Sequence, residues 1–446
     1  MTDLGPALLE LRRLTARLYA GQFPPEVGIV RQRFDAPRLI EVAETAARQT
    51  REVMAGAGRA PGPIAVGVGS RGIANLPLIV GAVVNELRRL GFEPFIVPAM
   101  GSHGGGTAEG QLEVLAGYGI EQSTMGVPVL ATMETRVVGE IEGMPIHLEA
   151  NVADAGCAFL IARVKPHTDF RGSVESGLAK MTAIGLGKQR GAQTIHSAGV
   201  RGLRDLMPEA ARRIVAAGYI AGGLAVVENQ RDETAIISGL AAAEIGGAAE
   251  EALLRRAREL MGRLPFEALD VLVVDRMGKD ISGTGMDTNV LNRMRIPGEP
   301  EPEGLSIAGI VVLDLTEESH GNGVGMGLAD FTVERLLAKL DLPSVYVNAL
   351  TAGVAGHERA QLPIVLPTDR DAILAAIAGR GRPEAEPVRL AWISDTLHLE
   401  TMAVSRALWE EAAGRDDLDR LASPVAMPLR PDGSLEPLLA HLAGRA

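Results

Sequence analysis

A chain of 446 residues is longer than one hydrophobic core usually fills, so two domains are expected, and 46% hydrophobic residues supply core material for both. The formal net charge is −12, and no run of basic residues interleaved with aromatics occurs, which argues against nucleic acid as a partner. Cys157 is the single cysteine, so neither an internal disulfide nor a cysteine-rich metal site can form. The first nineteen residues carry Glu10 and several arginines in a helical pattern, unlike a secretory leader, and no stretch approaches the ~18 apolar residues a membrane span needs. Cytoplasmic residence without a membrane partner is the expectation.

The first third alternates strand and helix patterns: strand at 63–67, helix at 76–90, strand at 92–98, helix at 107–116. That alternation predicts βαβ units on a mostly parallel sheet flanked by helices. A further strand at 156–164 runs into Lys165-Pro166-His167, and helices are expected at 201–217 and 240–261. Gly262-Arg263-Leu264-Pro265-Phe266 breaks the helical pattern before a new buried strand at 271–274. The boundary is therefore placed there, giving an N-terminal α/β catalytic domain over 1–264 and a second α/β domain over 267–400, with the active site in the cleft between them. In the second domain, strand and helix patterns alternate through 307–313, 344–350, 369–378 and 388–393. The tail from 401 to 446 is expected to pack back on the first domain.

The βα corners carry the chemistry. The first reads Gly69-Ser70-Arg71-Gly72 and the second Gly101-Ser102-His103-Gly104. Both corners fall at carboxyl ends of parallel strands, where open α/β sheets bind ligands, so Arg71 and His103 are expected to face one crevice. Gly104-Gly105-Gly106-Thr107 opens the next helix, and glycines there let the backbone approach an anion. His167 ends the third strand and precedes Lys180, Lys188 and His196 within thirty residues. Histidine titrates near neutrality and serves as acid, base or metal ligand. The chain has five lysines against 39 arginines, and three of the five lie between 165 and 188. A lysine in so arginine-rich a chain suits a task that needs an amine able to lose its proton and act as a nucleophile.

The three histidines lack the spacing of a zinc-protease helix. His147, His357, His398 and His441 lack convergent neighbours and read as structural, and His320 sits in a polar, glycine-rich loop that is also read as structural. The spacing Gly67-Val68-Gly69-Ser70-Arg71-Gly72 matches a dinucleotide-binding turn only in its glycines. A nicotinamide-dependent oxidoreductase or lyase in the same cleft, or a non-catalytic binding protein, stays open as an alternative.

The order Ser70-Arg71, then Gly101-Ser102-His103, then Pro166-His167, Lys180 and His196, is similar to the nickel-dependent lactate racemase family and its 2-hydroxy-acid racemase relatives. The resemblance covers the first domain well and the second by order of elements. It implies a nickel-pincer nucleotide cofactor (pyridinium-3,5-bisthiocarboxylic acid mononucleotide nickel), joined to Lys180 and ligated by His196, with Lys188 as a rival attachment point. Ser70, Gly104, Gly105, Gly106 and Thr107 are the expected cofactor contacts. By the same resemblance His103 and His167 are the acid/base pair, and Arg71 holds the substrate carboxylate. The implied reaction is racemisation or epimerisation of a small 2-hydroxy acid by reversible hydride abstraction from C2, through a 2-keto acid. Cofactor-maturation proteins are implied partners, and without them Lys180 is expected unmodified. In the second domain Lys279 and Thr288, in a loop dense in small and polar residues, are the candidates for substrate contact.

Overall fold

The computed structural model describes residues 5–70, 72–351, 355–383 and 385–443. It divides into two compact units, one formed by Asp35–Met261 and the other by Met1–Phe34 together with Gly262–Ala446. Both are mixed α/β, each with parallel strands flanked by helices. No helix among the described residues is long and apolar enough to cross a membrane.

The first strand, β1 (Val27–Gln32), departs from the sequence expectation because it belongs to the sheet of the later residues. The chain then enters the Asp35–Met261 unit with β2 (Pro63–Val68), β3 (Glu93–Pro98), β4 (Thr135–Ile141), β5 (Met144–Glu149), β6 (Ala158–Arg163), β7 (Ile220–Glu228) and β8 (Thr234–Ala241). Five of these form a sheet in the order β3-β2-β6-β7-β8, and β4 pairs with β5 as a separate hairpin. All pairings in the five-stranded sheet are parallel except the last, where β8 runs antiparallel to β7.

The sequences of β2 and β6, Pro-Ile-Ala-Val-Gly-Val and Ala-Phe-Leu-Ile-Ala-Arg, are almost continuously apolar because helices cover both faces. Alternate residues point to opposite layers. Ala65, Val97 and Leu160 join one core with Leu178, Leu206 and Leu254, and Ile64, Val66, Phe159 and Ile161 join the other with Ile79, Val83 and Leu87.

The helix expected over 240–261 is shorter. Leu240 and Ala241 finish β8, a single 3-10 turn follows, Gly246 takes a left-handed φ of 71°, and only Ala248–Leu260 is helical. Buried apolar residues at 240 and 245 mimic a helical stripe, but the strand claims the first of them.

The other unit adds β9 (Ala268–Val274), β10 (Ser306–Val312), β11 (Phe331–Val333), β12 (Ile364–Leu366), β13 (Leu390–Ile393), β14 (Thr401–Ser405) and β15 (Leu418–Val425). Among the described residues the sheet order is β12-β11-β10-β9-β13-β14-β1-β15. The first five run parallel, and β14, β1 and β15 extend the sheet antiparallel.

The boundary at Gly262 agrees with the sequence break, but the assignment of both termini to the first domain is corrected. Val-Gly-Ile-Val is buried on both faces, and its main chain finds partners on both edges, in β14 and β15. Gly28 allows this packing, because a β-carbon there would lie 2.3 Å from the Trp409 ring. Arg420 closes over the same indole at 4.1 Å from its centroid. The tail therefore completes its own sheet instead of returning to the first domain.

Candidate functional site

The strand order fixes where the sequence-derived corners meet. From β2 the chain moves to β3 on one side, and it later places β6 on the other side of β2, so the order reverses between β2 and β6. In open α/β sheets the crevice outside the carboxyl ends of the strands at such a reversal is where ligands bind. Ser70 follows β2, His103 follows β3 and His167 follows β6. Because β3 and β6 flank β2, the two histidine loops start two strand spacings apart, about 10 Å. Arg71 lies outside the described residues.

Ser70 and His103 come together directly, Oγ of the serine hydrogen-bonded to Nδ1 of the imidazole. The Tyr118 hydroxyl donates to the Ser70 carbonyl at 2.7 Å, which fixes the first corner against the helix after the second. The His103 ring itself is exposed. Beyond it Gly104, Gly105 and Gly106 all take left-handed φ values near 66°. At Gly104 a β-carbon would also lie 2.7 Å from the Gly110 and Gln111 backbone, so glycine is required there on two counts. Thr107 caps the helix Ala108–Gly117, accepting from the Gly110 amide at 3.0 Å and donating to the Gly104 carbonyl at 3.2 Å. These bonds give Thr107 a structural occupation of its own.

His167 is half-buried on a loop tied down from behind. Its Nδ1 accepts the Asp169 backbone amide at 3.0 Å, so the neutral ring carries its proton on Nε2, and Phe170 packs against it at 4.7 Å between centroids. The His167 amide donates to Glu175 at 2.8 Å, and the Gly172 amide donates to the other oxygen at 3.0 Å. Glu175 is wholly buried and is matched by the Arg258 guanidinium from the helix Ala248–Leu260. Ser176 bonds both the amide and the carbonyl of Lys165, which closes the base of the loop.

Lys180 ends a short helical turn, Leu178–Lys180, that continues as the π-helical turn Met181–Gly185. Such irregular turns concentrate at functional positions. The turn is held at its start by Glu250, a buried carboxylate that accepts from Ala179 at 3.1 Å and Gly246 at 2.8 Å and whose pKa is raised by burial. His196 stands in the last turn of the helix Lys188–Ser197 with its side chain exposed. Desolvation by the surrounding protein lowers its pKa, the Lys180 charge lowers it further, and Asp169 acts in the opposite direction. His196 is thus close enough to Lys180 and to Asp169 to feel both charges.

The rival lysine stands elsewhere. Lys188 is fully buried, with Nζ donating to the Pro98 carbonyl at 2.5 Å and to Gln111 Oε1 at 2.9 Å. An amine so enclosed has no room to carry a nucleotide, whereas Lys180 is partly exposed. Sequence reasoning did not single out Asp169, Glu175, Glu250 or Gln111. Acidic and amide side chains are common, and only the packing of distant helices shows which of them are buried.

Lys279 and Thr288 belong to the other unit. The Lys279 ammonium donates to the carbonyls of Gly283 (3.1 Å) and Val324 (2.6 Å), and Thr288 is buried at the start of the helix Thr288–Leu291. Of the remaining histidines, His147 bonds Thr135 Oγ1 at 3.0 Å and His398 pairs with Asp395 at 2.8 Å.

No family model and no curated protein matches the chain. A crystal structure of a Thermotoga maritima protein, determined as a structural genomics target, is similar at a TM-score of 0.46 and 13% identity, covering 79% of this chain and 88% of that one.

Proposed function

We propose that this chain is a racemase or epimerase of a small 2-hydroxy acid that works with a nickel-pincer nucleotide. The observation that carries the reading is the pair of histidine corners, on strands either side of β2, with one ring bonded at Nδ1 to Ser70 and the other at Nδ1 to the Asp169 amide. A gap of about 10 Å between neighbouring corners suits a small acid with an imidazole on each side.

The residues present fit the cofactor. Lys180 is partly exposed, and the lowered pKa of His196 favours its neutral imidazole, the form able to ligate. His196 lies within range of the Lys180 charge. When bound, the group supplies an acceptor for the hydride of C2.

The chain's own residues supply the proton chemistry. One imidazole takes the hydroxyl proton of one enantiomer as the hydride leaves, giving a planar 2-keto acid. His103 can do so at Nε2 with Nδ1–H donating to Ser70, whereas His167 must first release the Asp169 amide, because an Nε2 that carries a proton cannot accept one. The imidazole on the opposite side returns a proton to the oxygen when C2 is rebuilt with the other hand. Arg71, the neighbour of Ser70, is assigned to the substrate carboxylate by the family resemblance.

Protein coexpressed with cofactor-maturation proteins is expected to show, by intact-protein mass spectrometry, an adduct that K180A lacks. The loaded protein is expected to erode the optical purity of D-2-hydroxy acids without added nicotinamide. Unmodified, nickel-free and inactive protein from that expression would overturn the reading.

A further inference from the structure

Two buried side chains stand behind the His103 corner and belong to none of the roles above. Gln111 and Lys188 both have zero solvent exposure. The Gln111 amide nitrogen donates to the Gly101 carbonyl at 3.0 Å and to the His103 carbonyl at 3.2 Å. Its oxygen accepts from Lys188 Nζ at 2.9 Å, and Lys188 donates again to Pro98, the last residue of β3. The chain of bonds thus runs from the end of the strand, through an interior amine and amide, to the main chain on both sides of Ser102. Its cost is visible, since Lys188 adopts a left-handed φ of 53° and gives up the hydration of its ammonium. A packed aliphatic side chain would fill the space without that penalty.

The geometry points to Lys188 and Gln111 as positioning residues for His103, a clamp that sets the depth and direction from which the imidazole leaves the β3 corner. This rests on the reading of His103 as an acid/base group. The partition of the amide is what makes the clamp specific: with the oxygen turned to Lys188, the nitrogen is forced towards the two carbonyls of the loop. The Gly185 carbonyl accepts the Gly101 amide at 3.0 Å, so the π-helical turn after Lys180 bears on the same corner.

The test uses the full chain and follows histidine ring signals by NMR, alongside steady-state racemisation by cofactor-loaded protein. K188M removes the amine while keeping its length, and Q111E keeps the acceptor for Lys188 while removing the donor to the loop. Both are expected to shift or broaden the His103 ring signals while those of His147 and His398 stay in place. Both are expected to lower kcat roughly ten- to a hundredfold with KM little changed, since a misplaced base costs the chemical step more than binding.

Unchanged His103 signals in folded Q111E overturn the proposal, and if K188M fails to fold, Q111E alone decides. Failure of the racemase reading looks different, because the His103 signals would still respond to the variants while wild-type loaded protein left optical purity intact.

Discussion

His167 takes a hydrogen bond at Nδ1 from the backbone amide of Asp169, whereas His103 meets the hydroxyl of Ser70 at the same ring position. An amide can only donate, so the neutral His167 ring is held with its proton on Nε2. A hydroxyl donates or accepts, so His103 can exchange tautomers. Replacing Ser70 with alanine is therefore expected to affect only one of the two imidazoles. In the proposed reaction S70A should lower kcat/KM about tenfold to a hundredfold, by the same factor from either enantiomer, because both directions share one path and a fixed equilibrium constant. Histidine ring NMR in S70A checks the selectivity: the His103 signals are expected to move and those of His167 to stay, and movement of both alike would count against distinct partners for the two rings.

The His196 imidazole is depressed first by desolvation and then by the Lys180 charge. K180M removes that charge, so the His196 pKa is expected to rise, desolvation by the surrounding protein being unchanged. An NMR titration of the His196 ring in the two proteins measures this. No upward movement in K180M would mean that the two side chains do not sense each other.

Glu175 binds two loop amides and Arg258 from a fully buried position. E175Q keeps the volume but loses the charge and sets an amide nitrogen against donors. The expected loss is about 1–3 kcal/mol of unfolding free energy, from buried donors left without acceptors. The loop bearing His167 should also exchange its amide hydrogens faster than in wild type. Denaturant unfolding and hydrogen exchange give the two readouts, and a variant as stable and as protected as wild type would contradict the assignment.

Burial lowers the Lys188 pKa from 10.5 to about 8, with Glu149 opposing. Between those values the unfolded chain binds more protons than the folded one, so stability rises with pH across that window, by on the order of 3 kcal/mol. The deprotonated amine still has two hydrogens for its two acceptors, so the clamp outlasts the charge. Unfolding measured from pH 8 to 10.5 is expected to show this rise in wild type and to lack it in K188M.

Asp275 behaves in the opposite sense. Burial raises its pKa from 3.8 to about 7, although the Leu438 amide (2.6 Å) and the Trp392 indole nitrogen (2.5 Å) donate to it. The folded chain then holds a proton that the unfolded chain has lost, so this group's contribution to stability falls as pH rises from about 4 to 7. Trp392 reports it directly. In a W409F background, indole fluorescence is expected to titrate near pH 7, and a flat profile from pH 5 to 9 would remove the basis for the claim.

Much of the candidate site was legible because it lies at strand ends. The apolar runs at 63–68 and 158–163 announce central parallel strands, and the residues that follow such strands fall on the ligand-binding edge whatever the helices do. His103, His167 and Ser70 could be found in that way. The supports of the site could not, because Gln111, Glu175 and Glu250 gain their roles only from groups brought beside them by helices and loops that pack against the sheet. The termini were misplaced for a related reason. Pairing between β1 and β14 joins Val27 to Ser405, and no local pattern signals a partner so far along the chain.

That pairing has a consequence for how the protein is made. During vectorial synthesis β1 leaves the ribosome before its neighbours at Thr401–Ser405 and Leu418–Val425, with the whole Asp35–Met261 unit made in between. Every strand of the Asp35–Met261 unit is meanwhile complete and free to assemble. Until those strands emerge, β1 is an apolar segment with two unsatisfied edges, the stage at which a nascent chain most needs shielding by a chaperone.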